Sequence, residues 1–392
     1  MTELLIAPEK EQIAADGCTK TAYDMAMGTS QMLGCLTERL QDVSKDATLT
    51  CFGQEFNPET YAIAKADMLI KGGNASGMKY GDTLSDDAFG GYEFDYVISN
   101  PPFGIDWKRE KSQVEAEAKR GYDGRFGPGL PAISDGQMLF MLNGVKKLKE
   151  GSGRMAIIQN GSSLFTGDAG SGASEIRRYL IHEDLVEAIV QLPTDLFYNT
   201  GISTYIWVLT KGKPMSRSGR VQLIDASKCF VKRRKNIGSK RVDLSDACID
   251  LILQAYEEFE NQTYTNGNLV VESKKFANDF FGFTKVTVET AQADETGKPI
   301  LKRGKKQPVK GASDSEIIPL NENIDAYMAK NVLPYNPLAY IDPAKDKIGY
   351  EVPFTRLFYK FEAPESSASI FEDIKALESK ETVLMKELFG NA

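Results

Sequence analysis

The sequence predicts an α/β fold for its first 210 residues: a mostly parallel, doubly wound sheet with helices on both faces. Three observations predict it. Short β-type runs alternate with helical patterns along this stretch, as βαβ units do in sequence. The second helix opens with Asn57-Pro58, a capping residue followed by a proline at the first helical position. The chain, at 392 residues, also has enough material for a large core and a smaller second unit.

The first strand, 19–23, runs into Asp24-Met25-Ala26-Met27-Gly28-Thr29-Ser30 and a helix at 31–41. A second strand, 48–54, is followed by Glu55, the Asn57-Pro58 cap and a helix at 59–71. The third, 94–99, carries the apolar run Tyr96-Val97-Ile98-Ser99 and ends in Asn100-Pro101-Pro102-Phe103. A helix at 136–148, a strand at 154–159, a helix at 174–182 and strands at 185–191 and 203–210 complete the alternation. In a doubly wound sheet ligands sit beyond the carboxyl ends of the strands, so residues there are the first candidates for function.

The connection 104–135 is long and rich in glycine and charge, and it reads as a mobile lid over a substrate. Past residue 210 the alternation decays. From Lys211 to Arg241 there are eleven Lys or Arg against the single acid Asp225, and 298–310 adds six more with no acid. Each stretch can face a phosphate backbone, with a solvated surface loop as an equal alternative. A helical piece at 244–260 follows. The chain closes in a helix whose Ile370, Ile374, Leu377, Leu384 and Leu388 keep heptad spacing, suited to a partner helix or to packing back on its own domain. The partner is the favoured reading. These features divide the chain into a catalytic domain, 1–212, and a C-terminal extension, 213–392, with basic segments and a partner-binding tail.

A net charge of -8 argues against a protein that grips nucleic acid by bulk electrostatics, although the basic stretches are local exceptions. No apolar run approaches the ~20 residues of a membrane helix, and Met1-Thr2-Glu3-Leu4 has no signal-peptide character. The expectation is a cytoplasmic protein with no membrane partner. The five cysteines form no C-x-x-C pair and His182 is the single histidine, so no metal is expected. His182 lies at a helix end, where a cationic ring suits the dipole, and has no catalytic role.

The chemistry is carried by strand ends. Asn100-Pro101-Pro102-Phe103 offers carbonyl acceptors and a flat ring converging on one point, the equipment needed to hold a planar amino group for methylation. Asp24 through Ser30, including Ala26, Gly28 and Thr29, has the small residues that let backbone approach a ligand at a helix N-terminus; a tight strand-to-helix turn is the alternative. Glu55 can accept both hydroxyls of a ribose, or be a capping acid. Asp82, in Gly81-Asp82-Thr83-Leu84, can meet the exocyclic amine of an adenine. Together these acids fit an adenosyl group across the strand ends, with Asp24 near its amino-acid moiety. The N6 amine of an adenine substrate is a poor nucleophile, because its lone pair is delocalised into the ring. Asn100 Oδ1 and the Pro101 carbonyl would draw it toward tetrahedral geometry, and S-adenosyl-L-methionine would supply an activated methyl group, so positioning could provide much of the rate. Phe103 would stack on the target base, which must leave the duplex to be reached.

These residues resemble the modification (M) subunits of type I restriction-modification systems, DNA adenine-N6 methyltransferases that work with a separate specificity subunit. The similarity runs from Asp95 through Gly104 and includes Gly151-Ser152-Gly153-Arg154-Met155-Ala156-Ile157-Ile158, Gln191-Leu192-Pro193-Thr194-Asp195-Leu196-Phe197 and Thr200-Gly201-Ile202-Ser203-Thr204. Lys347 through Arg356 and the closing helix extend it almost to the end. The resemblance implies a Rossmann-like class I methyltransferase fold with a seven-stranded sheet. It also implies double-stranded DNA as substrate, a specificity (S) subunit and, for cleavage, a restriction/motor (R) subunit.

Two departures stand against the pattern. The chain begins just before the first strand, where family members carry a helical domain and a Thr-Pro segment, so it reads as N-terminally truncated. Ser30 stands where the family has a second glycine, and Met27 where it often has Cys. These departures motivate a second reading, a catalytically impaired binding subunit with a degenerate cofactor pocket. A third, methylation of glutamine amides in proteins, is opposed by Phe103, because such enzymes usually carry Tyr there.

Overall fold

The computed structural model describes residues 1–361 and 364–390. The chain divides into two compact units, 1–353 and 354–392. In the first, two short helices, Thr2–Ile6 and Lys10–Asp16, precede β1 (Thr19–Asp24). The next six strands are β2 (Thr48–Glu55), β3 (Met78–Tyr80), β4 (Tyr96–Ser99), β5 (Arg154–Asn160), β6 (Val186–Gln191) and β7 (Thr204–Thr210). They stand in the order β3-β2-β1-β4-β5-β7-β6, with β7 antiparallel to both neighbours and the other pairs parallel. This matches the expected class I arrangement. The six strands read from sequence all form, with ends displaced by at most two residues. The three-residue β3 has too short a pattern to be read.

The sheet has ten strands where the resemblance implied seven. β8 (Arg220–Asp225) pairs parallel to β6, and β12 (Leu269–Ala277) and β11 (Gln262–Asn266) follow antiparallel. The sheet therefore continues past residue 212. Without β8 the outer edge of β6 would leave its backbone donors and acceptors unpaired. The Lys- and Arg-rich flanks of Val221-Gln222-Leu223-Ile224 hide this strand in the sequence.

Near-continuous apolar runs form the central strands because both faces are covered. The helices Thr2–Ile6, Gln31–Val43, Pro58–Ile70 and Asp246–Glu258 bury Leu5, Leu33, Leu36, Met68 and Leu251 in one cluster with Ala22, Ile98, Ile158 and Val190. The alternate residues Val97, Met155, Ile157 and Trp207 are buried on the opposite face. The extension is fastened by ionic groups inside the protein. Arg154 Nη2 lies 2.5 Å from Glu187 Oε2, which also accepts from the Tyr256 hydroxyl at 2.9 Å. The Arg217 guanidinium stacks 4.4 Å from the Tyr256 ring and donates to the Tyr256 carbonyl. Burial opposes the charge on Glu187, but Arg154 and Arg217 outweigh it and hold its carboxyl below the usual range.

Between β8 and the helix Asp246–Glu258, β9 (Val231–Ile237) and β10 (Lys240–Asp243) form an antiparallel hairpin. A smaller sheet is centred on β13 (Gly282–Ala291), which pairs with Pro308–Pro319, Ala339–Ile341 and Lys347–Tyr350 over a core of Val286, Val288, Ile318 and Met328. The second basic stretch is itself a hairpin, Leu301–Lys302 against Lys305–Lys306.

The second unit contains the helix Ser367–Phe389, capped by the Ser366 hydroxyl, which accepts from Ser369 N at 3.2 Å. Its heptad residues Ile370, Ile374, Leu377, Leu384 and Leu388 are 46–74% exposed. Among the described residues no helix is long and apolar enough to cross a membrane.

Candidate functional site

From β1 the chain winds one way to β2 and β3, and then the other way to β4 and β5. That reversal opens a crevice at the strand ends, and the crevice widens into a cavity of about 650 Å³. This is a usual size for a small-molecule site.

The first wall is the turn after β1. Met27 N donates to the Gln54 carbonyl at 3.1 Å and Ser30 N to the Met27 carbonyl at 2.7 Å, curling 24–30 over the end of β2. Gly28 has φ +53°, and a Cβ there would meet nothing within 4 Å, so its backbone faces open space. Glu55 closes the second wall. Its Oε2 accepts from Gly28 N at 2.9 Å and its Oε1 from Asn57 N at 2.8 Å. A carboxylate has about four acceptor sites, so about two remain for a ligand.

Asp82 forms the third wall. Its Oδ1 accepts from Leu84 N (2.7 Å) and Ser85 N (3.2 Å), which fixes the carboxylate. Glu110 faces it, and burial followed by the like charge of Asp82 raises the Glu110 carboxyl above its ordinary value. Asn100 completes the cavity at the end of β4. Its Oδ1 is buried and has no hydrogen-bond partner. A buried acceptor without a partner costs free energy unless a ligand satisfies it. Phe56, Ile105 and Phe140 add apolar surface to the lining.

The cavity thus brings together Ala26, Gly28, Glu55, Asp82, Asn100 and Pro102 from the residues named by sequence. Others lie outside its lining. Phe103 is half-buried against the hydrophobic core, so this geometry does not present it to a base in the cavity. Pro101 is buried and Thr29 half-buried outside the lining. Ser30 adopts φ +67°, the left-handed conformation glycine takes freely, and lines a separate cavity with Gly34 and Thr37. Asp24 is 1% exposed and sits behind the wall, where its Oδ1 accepts from Ser99 Oγ (2.7 Å) and Ala26 N (3.1 Å). It ties the end of β1 to the end of β4 and does not line the cavity.

Burial pushes the Asp24 carboxyl up to about 7. A raised acid favours the fold while protonated. Its contribution is full below the unfolded value near 4, declines as pH rises toward 7, and is lost above that. Asp24→Asn mimics the protonated form. Urea unfolding between pH 5 and 8 is therefore expected to leave the variant increasingly ahead of the parent, by more than about 1 kcal/mol at pH 8. Parallel curves would contradict this account.

The segment 104–135 is folded rather than loose. It contains the helix Lys111–Ala118, and Trp107, 2% exposed, donates Nε1–H to the Ala132 carbonyl at 3.0 Å. Arg125 is its anchor. The guanidinium donates to the carbonyls of Thr83 (2.6 Å) and Leu84 (3.0 Å) and is paired with Glu117. The segment after the Asn-Pro-Pro-Phe motif therefore braces the turn that carries Asp82. Glu110 and Arg125 were not singled out from sequence. Loop position alone pointed to the segment, with no residue-level signal within it.

The profile of the N-6 DNA methylase family matches residues 10–295. The MjaIX methylase subunit, a type I restriction enzyme component of Methanocaldococcus jannaschii, is 27% identical over 242 residues, which cover 61% of this chain and 41% of that protein. The HindI methylase subunit of Haemophilus influenzae is 27% identical over 287 residues, covering 72% and 61% respectively. The crystal structure of a type I restriction-modification methyltransferase subunit from Streptococcus thermophilus superposes with a TM-score of 0.58 at 28% identity, covering 72% of this chain and 54% of that one. The chain thus spans about two fifths of the MjaIX subunit's length and three fifths of the HindI subunit's.

Proposed function

This chain belongs to the N-6 DNA methylase family, and from that premise we propose that it methylates the N6 amine of an adenine flipped from double-stranded DNA. The observation that carries the reading is the buried, partnerless Oδ1 of Asn100, a residue that lines a cavity of small-molecule size. Asn100 Oδ1 accepts one N–H of the target amine, drawing the nitrogen lone pair out of the ring. Gly28, Glu55 and Asp82 hold the cofactor, with Glu110 opposite Asp82. S-adenosyl-L-methionine, when bound, would supply the methyl group from its sulfonium, departing as the neutral thioether, and the methylated amine would shed its extra proton to solvent. The chain's own residues contribute position and water exclusion, which together can account for a large part of a rate enhancement.

The residues we assign to catalysis lie within 1–212, while 220–277 completes their sheet and the rest of the extension supports assembly. The names of the relatives, each a methylase subunit of a type I restriction enzyme, support a multisubunit restriction complex; the specificity subunit, the restriction/motor subunit and the cytoplasmic location are the partners and place we assign to it. The apolar heptad row of Ser367–Phe389 is the surface we assign to the specificity subunit. The reading of a disabled pocket is not favoured, because Ser30 lies outside the cavity lining.

Calorimetric titration with S-adenosyl-L-methionine, followed by transfer of radiolabelled methyl groups with the specificity subunit present, tests the proposal. One-to-one binding and label in duplex DNA are expected. A folded chain that binds the specificity subunit but not the cofactor would replace this reading with the impaired-subunit one; label in protein would replace the substrate.

A further inference from the structure

We infer that the β9–β10 hairpin is a phosphate clamp that holds duplex DNA against the catalytic edge of the sheet, an inference that rests on the proposed DNA substrate. Strand directions place it there. β5 is parallel to β4 and β8 is parallel to β6, while β7 runs antiparallel to both β5 and β6. The ends at Ser99, Asn160, Gln191 and Asp225 therefore share one edge, and the hairpin leaves the sheet from the last of them.

It is fastened to that edge by backbone bonds. Ser239 N donates to the Tyr198 carbonyl and Arg241 N to the Asp195 carbonyl, both at 2.8 Å, in the connection between β6 and β7. Lys240 Nζ lies 5.2 Å from the centre of the Tyr198 ring, itself 61% exposed. Neighbouring strands are about 4.8 Å apart, so three steps separate β6 from β4 by about 14 Å, and four separate β8 from β4 by about 19 Å. At about 3.4 Å per nucleotide along one strand, this corresponds to about four to six phosphates from a base held at Asn100.

The charges on the hairpin divide into two sets. Arg233 and Lys240 share the single carboxylate of Asp243, an ion-pair cluster that ties the two strands of the hairpin together. Lys232, Arg234, Lys235 and Arg241 are exposed, and among the described residues none has a carboxylate within ion-pair distance. Elsewhere in the same stretch Lys211 pairs with Glu150, Lys213 with Asp184, and Arg217 is stacked on Tyr256, whereas Arg220 and Lys228, outside the hairpin, are exposed and have no carboxylate within ion-pair distance among the described residues. Four unpaired cations on a narrow two-stranded ribbon, beside an exposed aromatic, suit a rail of phosphates. They also remove the difficulty posed by the chain's net charge of -8, because counterion release depends on the local contacts.

The test is binding of the full chain to a 30-bp duplex by fluorescence anisotropy across a salt series. The variant carries Lys232→Gln, Arg234→Gln, Lys235→Gln and Arg241→Gln. Its fold is verified by an unchanged unfolding transition and unchanged cofactor titration. Each phosphate contact contributes about 0.9 to the slope of log affinity against log salt. Loss of two to four contacts is expected to lower the slope by roughly 2–4 and the affinity at low salt by roughly 10- to 100-fold. A folded variant with the parent's slope would overturn the clamp while leaving the proposed reaction intact. A parent chain with no salt-dependent affinity would overturn the clamp directly, whereas methyl transfer with the specificity subunit judges the reaction separately.

Two further outcomes discriminate. Equal loss on neutralising Lys302, Arg303, Lys305 and Lys306 would overturn the assignment to β9–β10, since any basic hairpin would then serve. Loss of affinity for polyglutamate with retained affinity for DNA would assign the surface to an acidic protein instead.

Discussion

Asn100→Ala is expected to reduce single-turnover methyl transfer by at least about 10²- to 10³-fold, the scale seen when one preorganised polar group is removed from a reaction centre. The structure gives the reason. Asn100 Oδ1 is already buried and free of protein partners, so it does not have to break a hydrogen bond before accepting one from the target amine. Its loss removes an interaction that strengthens as the nitrogen leaves the ring plane, whereas the cofactor walls at Gly28, Glu55 and Asp82 stay in place. Cofactor affinity should therefore fall far less than the rate. Comparing rate at saturating cofactor with calorimetric affinity separates the two effects. A variant retaining full transfer would exclude Asn100 as the acceptor.

Glu187→Ala is expected to destabilise the first unit by about 3–5 kcal/mol, the usual result of removing one partner of a buried pair. Arg154, 3% exposed, would keep its charge with no carboxylate at 2.5 Å, and Arg217 would lose the same counter-charge. The midpoint of urea unfolding measures this. Replacing Glu187 and Arg154 together by apolar residues should recover much of the loss, because the desolvation cost then disappears from both sides. Equal destabilisation in the single and double variants would contradict this account.

Most of the central sheet was legible because its strands are short apolar runs separated by strong punctuation. Asn57 illustrates the clearest case: its side chain accepts from both Glu59 N and Thr60 N, as the Asn-Pro pair foretold. Glu55 and Asp82 were legible as cavity-lining positions because both follow strand ends, where a doubly wound sheet opens its crevice. Asp24 shares that position but turns inward, and only packing determines which side of a turn a carboxylate faces. Phe103 follows the same rule, because an aromatic beside two prolines can serve base or core equally well in sequence. In the segment 104–135 only its place beside the site was legible. Its helix and its anchor were not, because Arg125 finds its carbonyl partners more than forty positions earlier in the chain, a long-range pairing that no local pattern carries. The strands β8, β11 and β12 were obscured by the charge around them.

The ten-stranded sheet also bears on how far the chain can be shortened. A fragment ending near residue 212 would keep every group assigned to the reaction, and by motif content it would look like a minimal enzyme. It would also uncover the full outer edge of β6, where Ala188, Ile189, Val190 and Gln191 now register with residues 222–225, and it would remove Tyr256 and Arg217 from around Glu187. A bare apolar edge is a template for intermolecular strand addition. Such a fragment would aggregate, and the smallest usable catalytic piece of this chain must run at least through β12, at Ala277.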